Sequence, residues 1–189
     1  MTEVRIHGRG GQGVLTTAAL LAEAAVEEGK HVYSSPDCPY DRGGTPVTVS
    51  LRIDDSPIKA RTPVTAPDLV LVQDATLLQG GGPARGLKEK GMLILNTVES
   101  ALNVKLPGPG MVVTVPANLL AEEALGKQES IFPWTGTVLL GALAAARPVV
   151  GLESLRTVAR RHFRGRAGEL NALAMEKGYQ HIKYTCKIP

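Results

Sequence analysis

Short apolar runs alternate with longer amphipathic stretches along the first third of the chain. Val4–His7 reaches strand length, and apolar residues then recur at helical spacing between Gln12 and Glu28, with Gly29 placed to end that helix. Residues 31–34 predict a second short strand, which runs into a loop rich in Pro and Gly. A strand–helix–strand start of this kind indicates an α/β protein.

The middle of the chain is dominated by strand patterns. Val47–Ile53 alternates apolar and polar residues, which predicts a strand with one exposed face, and we expect it to turn at 54–57 into a hairpin with 58–60. Three near-continuous apolar runs predict buried parallel strands: 68–74, 91–96 and 111–115. A short helical stretch that ends in the loop 79–86 separates the first two of these runs.

Helical patterns occupy the C-terminal third. Helices are predicted over 116–126 and 135–146, and one or two amphipathic helices over 152–177. The 135–146 helix is apolar on nearly every face, so we expect it to be buried in this chain or against another. The interleaved order predicts a three-layer α/β/α sandwich with a mixed, mostly parallel sheet, forming one domain over residues 1–189.

Composition narrows the function classes. The 189 residues are 43% hydrophobic and 21% charged, as in a globular protein, and the net charge of +3 makes no case for nucleic acid. No apolar run approaches the length of a membrane span, and Arg5 and His7 interrupt the N-terminal apolar stretch where a signal peptide would be continuous, so we expect a cytoplasmic protein. Two cysteines cannot supply the four thiolates of an iron–sulfur cluster, and the four scattered histidines suggest no metal site.

A glycine-rich loop follows the first strand. It reads HGRGGQG, and its candidate ligand-binding residues are Gly8, Arg9, Gly10, Gly11, Gln12 and Gly13. Such a loop brings backbone close to a phosphate at a helix N-terminus, as in a Rossmann-like first βα unit. The alternative is that the glycines only let the helix pack on the strand. For hydride transfer with a nicotinamide, Asp37 is the nearest acid to the position expected for the ribose, but the chain has no room for a substrate domain.

A second glycine turn carries an arginine. Arg42, Gly43 and Gly44 present a guanidinium beside Asp41, and such a group makes a bidentate contact with phosphate or carboxylate. An Arg–Asp pair that only holds the loop in shape is an equal alternative.

The ordered set of motifs resembles the gamma subunit of 2-oxoacid:ferredoxin oxidoreductases, a group that includes pyruvate, 2-oxoglutarate, 2-oxoisovalerate, indolepyruvate and phenylglyoxylate types. The resemblance rests on GRGGQG, RGG, RIDDSPI, PDLVLVQD, GMLILN, VPA, VLLGALAA and the final LN and EKGY, and it covers nearly the whole chain. It implies a multisubunit enzyme that oxidatively decarboxylates a 2-oxoacid, usually to an acyl-CoA, and passes electrons to ferredoxin.

The resemblance also implies a division of labour. Thiamine diphosphate with Mg²⁺ and the [4Fe–4S] clusters would lie on alpha, beta and ferredoxin-like delta subunits, while this chain has no catalytic residue and no metal of its own. Its glycine-rich loop and the Arg42–Gly44 turn would face coenzyme A as two sides of one cleft. A stand-alone oxidoreductase that uses NAD(P) or flavin, and a purely structural assembly subunit, stay open as alternatives.

Two other features, a row of arginines and the single tryptophan, can each be interpreted in two ways. Arg156, Arg160 and Arg164 fall on one face of a predicted helix, extended by Arg161 and Arg166, which favours a solvated basic face over a contact with an acidic subunit or CoA phosphates. The lone tryptophan, just before the 135–146 helix, is expected to be a core anchor, with a contact to a sister subunit as the alternative.

Overall fold

In the part of the chain that the structure describes, six strands form one mixed sheet. The computed structural model describes residues 1–38, 43–125 and 134–185, with backbone only at 125, 184 and 185. The strands are β1 (Thr2–Arg9), β2 (His31–Asp37), β3 (Pro46–Asp54), β4 (Leu69–Val72), β5 (Met92–Asn96) and β6 (Met111–Val115), in the order β2-β3-β1-β4-β5-β6. β3 pairs antiparallel with both its neighbours, and the other pairings are parallel, so β3 alone runs against the other described strands.

Five α-helices of the described residues lie over one face of this sheet. They are α1 (Val14–Glu27), α2 (Ala117–Leu125), α3 (Thr135–Ala146), α4 (Leu152–Phe163) and α5 (Gly165–Thr185). Among them, α4 packs on other helices rather than on the strands. The five share one apolar core with alternate residues of the strands, among them Ile6, Leu71 and Ile94. Alternation sends every second strand side chain to this face, as the pleat requires.

The opposite face of the sheet carries a smaller core over β4 and β5. Val70, Val72 and Leu93 pack there under the 3₁₀ helix Ala75–Leu78 and under loop residues that include Ala84, Leu87 and Leu106. A second 3₁₀ helix, Ala101–Asn103, precedes β6. The α/β class and the mixed sheet of the sequence prediction are confirmed, with 3₁₀ turns and loops, rather than long helices, as the second covering layer.

The predicted hairpin between 47–53 and 58–60 is wrong. β3 already has β1 on one side and β2 on the other, so no edge is left for another strand. Residues 58–61 are not in a strand; the buried Arg52 guanidinium instead donates to the carbonyl oxygen of Thr62 at 2.5 Å. Arg52 also pairs with Glu3 at 3.0 Å, so a side chain on the sheet holds the segment that the pattern assigned to a strand.

α3 is buried within this chain, which is one of the two arrangements predicted for the 135–146 helix. Two glycines allow its close approach to α5: a Cβ at Gly141 would lie 1.8 Å from the carbonyl oxygen of Met175, and one at Gly178 would lie 2.0 Å from that of Val138. Carbon and oxygen atoms that are not bonded to each other do not come this close, so these two positions accept only glycine unless the helices shift.

Three of the five arginines in the predicted basic face, those within α4, form ion pairs inside the chain, whereas Arg164 and Arg166 are exposed. Arg160 pairs with Glu169 of α5 at 3.0 Å, and Arg161 pairs with Glu27 of α1. Arg156 pairs with Glu153 at 2.7 Å and with Glu176 at 3.4 Å. The acids come mostly from neighbouring helices, so a pattern within one helix could not reveal them.

Candidate functional site

The glycine-rich loop joins β1 to α1 at the carboxyl edge of the sheet. Gly11 and Gly13 have φ of 90° and 72°, a region that L side chains rarely adopt, and a Cβ at either would meet no described atom within 4 Å. Gly13 is the N-cap of α1, without a side-chain cap and with no acid in the first helical turn. The first N–H groups of α1 therefore lie behind open glycine backbone, an arrangement suited to an anion.

Gly8 has a different structural role from Gly11 and Gly13. It is paired within β1, and a Cβ there would lie 2.6 Å from Cγ2 of Val14 and 3.0 Å from Oε1 of Gln73. The first glycine of the motif therefore lets the start of α1 pack on the strand. This is the alternative role that the sequence analysis gave for the loop glycines.

Arg9 is bound to its own chain rather than exposed as a free charge. Its Nε lies 3.0 Å from Oδ2 of Asp74, and its two terminal nitrogens donate to the Gly44 carbonyl at 3.1 Å and the Thr76 hydroxyl at 2.8 Å. Gln12 adds to the same cluster, since its Oε1 accepts from the Arg9 N–H at 2.7 Å and its amide donates to Asp74 at 3.1 Å. Both side chains brace the loop.

The two glycine stretches lie side by side rather than on opposite walls of a cleft. The Gly10 N–H donates to the Thr45 carbonyl at 2.8 Å, and the Gly44 N–H donates to the Gly10 carbonyl at 3.0 Å. These bonds continue the pairing of β1 with β3 beyond the ends of the strands. Gly43 and Gly44 are thus joined to the loop, whereas Arg42 lies outside the described residues.

Asp74 is the site residue that sequence reasoning missed. It lies two residues after the end of β4, the parallel neighbour of β1, so its carboxylate reaches the loop after β1. Burial raises the pKa of Asp74, but hydrogen bonds from Thr76 and Gln12 and the charge of Arg9 outweigh this, and the pKa lies below its ordinary value. One feature of the sequence could have identified Asp74: the polar pair Gln73–Asp74 ends an apolar run. Parallel strands present functional groups at this edge of the sheet.

His7 lies in β1 on the sheet face opposite the helices, two residues before the end of the strand. Its Nδ1 is 3.0 Å from the Thr48 hydroxyl, and its buried Nε2 has no hydrogen-bond partner among the described residues. Burial, assisted by the nearby charge of Arg5, lowers the pKa of His7 to about 4. The ring is therefore neutral at pH 7.

Neither a metal cluster nor a membrane helix is found in the part of the chain that the structure describes. Within 1–38, 43–125 and 134–185, no three His, Cys, Asp or Glu side chains are grouped as a metal site would require. No helix in these ranges has the length and apolarity to cross a membrane.

Comparison with known proteins decides the family. The profile described as "Pyruvate ferredoxin/flavodoxin oxidoreductase" matches residues 3–181. The chain belongs to this family. The "Pyruvate/ketoisovalerate oxidoreductases common subunit gamma" of Thermococcus kodakarensis is 43% identical over 182 residues, which cover 95% of this chain and 96% of that protein.

Solved structures agree with this assignment. The pyruvate oxidoreductase subunit PORC of Thermotoga maritima superposes with a TM-score of 0.81 at 34% identity, over 95% of each chain. A 2-oxoglutarate:ferredoxin oxidoreductase from Magnetococcus marinus, solved with 2-oxoglutarate, coenzyme A and succinyl-CoA bound, shares the fold at 18% identity and a TM-score of 0.80. That match covers 99% of this chain and 32% of the larger one. The chain is a gamma-type subunit of a keto/oxoacid:ferredoxin oxidoreductase.

The strand order of this chain differs from that of a dinucleotide-binding Rossmann fold. In a Rossmann fold, the strand that ends in the ribose-binding acid lies next to β1. Here β3 lies between β1 and β2, so Asp37 stands two strand spacings, about 10 Å, from the glycine-rich loop. This geometry disfavours the nicotinamide alternative.

Proposed function

We propose that this gamma subunit helps to bind coenzyme A in an assembled oxidoreductase, with the glycine-rich loop and the adjoining Arg42–Gly44 turn as its contact surface. The observation that carries the proposal is the uncapped start of α1 behind the open backbone of Gly11 and Gly13. CoA brings phosphates, which suit backbone N–H groups at a helix N-terminus.

The charge for this site comes from Arg42. Since the Arg9 guanidinium already donates to three groups of its own chain, it adds little to an incoming phosphate. Arg42 follows Asp41 in the sequence and leads into the Gly43–Gly44 turn, which is bonded to the loop through Gly10 and Gly44. A guanidinium forms a charge-assisted pair with phosphate, and we assign this role to Arg42.

The rest of the chemistry belongs to other subunits in this proposal. The partners are alpha, beta and ferredoxin-like delta chains, which would hold thiamine diphosphate, Mg²⁺ and [4Fe–4S] clusters; two cysteines in this chain cannot ligate such a cluster. The substrate is a 2-oxoacid of the pyruvate class, in keeping with the names of the relatives. The subunit would position the acyl acceptor and close the active site.

The test is the CoA dependence of the assembled enzyme. Arg42→Ala removes one charge-assisted contact, which is worth about 1.5–3 kcal/mol, so the KM for CoA should rise about 10- to 150-fold. Gly13→Val forces a branched side chain into a φ of 72° and should be at least as damaging. Lys105→Ala, an exposed cation in another loop, is the matched control.

The outcome separates CoA binding from the remaining alternatives. CoA-independent steps on thiamine should be nearly unchanged in both variants, because that chemistry lies on partner subunits. A normal CoA dependence in both variants would favour a purely structural assembly subunit.

A further inference from the structure

The sheet face opposite the helices is polar over β1, β2 and β3. The pleat turns Arg5 of β1, Tyr33 of β2 and Arg52 of β3 to this side. Two segments with neither helix nor strand, residues 58–67 and 82–88, cross the face and bond to these side chains. Together they form the covering layer of this face.

Two arginines of the sheet hold the covering layer in one shape. The buried Arg52 guanidinium donates to the Thr62 carbonyl at 2.5 Å. The half-buried Arg5 guanidinium donates to the Pro83 carbonyl at 2.8 Å and to the Arg85 carbonyl at 2.5 Å. The buried Nε of Arg5 has no hydrogen-bond partner among the described residues, so the fold accepts an unsatisfied donor in order to position irregular backbone. A surface that is fixed in advance loses less entropy when a partner binds.

The two segments of the covering layer also contact each other. Gly86 has a φ of 75°, and a Cβ there would lie 2.2 Å from the Thr65 carbonyl oxygen. The backbones approach this closely only because residue 86 is glycine. The next residue along the first segment is tied to the sheet, since the Val64 N–H donates to Oγ of Ser50 at 3.4 Å. The covering layer is therefore one continuous surface.

The covering layer is basic and has no acid of its own. Its two segments contain four cations and neither Asp nor Glu. One cation, Lys88, is neutralised by Asp68 at 3.0 Å and Glu3 at 3.3 Å. The other three are exposed, and none forms an ion pair with a described residue: Lys59, Arg61 and Arg85.

A tyrosine of β2 fixes Arg61 at the surface. The guanidinium carbon of Arg61 lies 4.7 Å from the centroid of the Tyr33 ring, and the Tyr33 hydroxyl donates to the Arg61 carbonyl at 3.0 Å. Stacking occupies the flat side of a guanidinium and leaves its N–H groups free, and here these groups donate to no described residue. Such a planar fork is suited to a carboxylate.

Short side chains occupy the surface between the three cations. A folded partner can approach them closely while the longer cations reach its carboxylates. The exposed residues of this kind are Ala60, Thr62, Pro63, Thr65, Ala66 and Gly86.

The charge of the layer and the family of the chain together indicate the occupant. Three unpaired cations complement an acidic protein surface. An electron carrier would have to dock near an iron–sulfur cluster, which two cysteines cannot ligate. The chain is, however, a subunit of a multisubunit enzyme, as its similarity to gamma subunits shows. A sister subunit is therefore the better match.

We propose that the covering layer is the docking surface for an acidic face of a sister subunit in the assembled oxidoreductase, whose carboxylates pair with Lys59, Arg61 and Arg85. The inference rests on the part of the proposed function that assigns the chemistry to partner subunits, and it does not depend on CoA binding.

Charge reversal in the assembled enzyme tests this contact. The complex is captured through a tag on another subunit, and the amount of this chain retained is measured between about 0.1 and 1 M NaCl, where the screening length falls from about 10 to about 3 Å. Arg61→Glu combined with Arg85→Glu should weaken retention about tenfold at the lower salt concentration and less at the higher one. Lys59→Glu combined with Arg85→Glu should do the same while leaving the contact with Tyr33 intact.

Lys183→Glu is the matched control. Lys183 is also an exposed cation over a tyrosine ring, with its Nζ 5.5 Å from the Tyr179 centroid, but it lies in α5 on the helix side of the sheet. Its reversal should leave retention unchanged. Normal retention of both double variants at every salt concentration would overturn the proposal. So would an intact complex with a raised KM for ferredoxin, which would assign the layer to the electron carrier.

A carbodiimide identifies the occupant directly, because it joins an amine to a carboxylate that touches it. In the assembled enzyme, mass spectrometry should find Lys59 linked to an Asp or Glu of a sister subunit and Lys183 without such a link. A link from Lys59 to a second copy of this chain, or none to a sister subunit, would overturn the proposal.

The two proposals fail separately. If Arg42→Ala and Gly13→Val raise the KM for CoA while the charge reversals leave the complex intact, the proposed function stands and the docking surface falls. If the charge reversals release this chain while both loop variants retain normal CoA dependence, CoA binding falls and the docking surface stands.

Discussion

The Nε of Arg9 lies 3.0 Å from Oδ2 of Asp74 and joins the loop after β1 to the end of β4. The same guanidinium holds the Gly44 carbonyl and the Thr76 hydroxyl, so one side chain connects three segments of the carboxyl edge. Arg9 is therefore a positioning residue for the glycine-rich loop. Its charge is largely neutralised by Asp74 before any ligand arrives.

Replacing Arg9 should separate positioning from direct binding. Arg9→Ala loses three hydrogen bonds at a partly exposed site, and we expect the free energy of unfolding to fall by about 1–2 kcal/mol, measured by urea denaturation, with a roughly tenfold higher KM for CoA in the assembled enzyme. Arg9→Lys restores the charge but not the planar set of donors, so it should recover little of either loss. Substantial recovery of CoA affinity in Arg9→Lys would show that Arg9 contacts a phosphate directly.

The contact between α3 and α5 should tolerate no side chain at Gly141. A Cβ there would lie 1.8 Å from the Met175 carbonyl oxygen, so Gly141→Ala must push the two helices apart. We expect a loss of about 3 kcal/mol or more in the free energy of unfolding. Gly108→Ala is the control, because a Cβ at this exposed glycine meets no described atom within 4 Å. Equal stability of the two variants would contradict the observed helix packing.

The neutral His7 ring should make stability depend on pH. Its pKa is about 4 in the folded chain and 6.5 in the unfolded reference, so below pH 6.5 the unfolded state binds a proton that the folded state does not. The free energy of unfolding should therefore fall between pH 6.5 and pH 4, with His7 contributing about 3 kcal/mol. In His7→Gln this part of the slope should vanish, while contributions from carboxylates remain in both proteins. Identical slopes would mean that the pKa of His7 is the same in the folded and unfolded states.

Much of the fold could be predicted from the sequence because local signals agree with the tertiary structure. The apolar run Met111–Val115 is a strand with the predicted bounds, and α3 occupies the predicted 135–146. The errors arise where the structure of a segment depends on residues that are distant in sequence but close in space. The segment 58–60 has a strand-like composition, but both edges of β3 are occupied, and strand order cannot be deduced from periodicity.

The candidate site was partly predictable for the same reason. The positive φ at Gly11 and Gly13 agrees with the glycine-rich pattern, and the Gly10–Gly44 pairing brings the two predicted stretches together. The role of Arg9 depends on Asp74, which is 65 residues away in sequence and becomes a neighbour only because β4 pairs with β1. Charge alone could not distinguish an arginine that binds a ligand from one that braces a loop.

The most direct test of the account compares the purified chain with the assembled complex in an assay of 2-oxoacid-dependent ferredoxin reduction. Two cysteines cannot hold a [4Fe–4S] cluster, so the chain alone should be colourless and inactive. Co-expressed with a thiamine-binding chain and a cysteine-rich, ferredoxin-like chain, it should form a complex whose activity depends on CoA and is lost when this chain is omitted. Ferredoxin or dye reduction by the single chain, or its tight binding of NAD(H), would contradict the account.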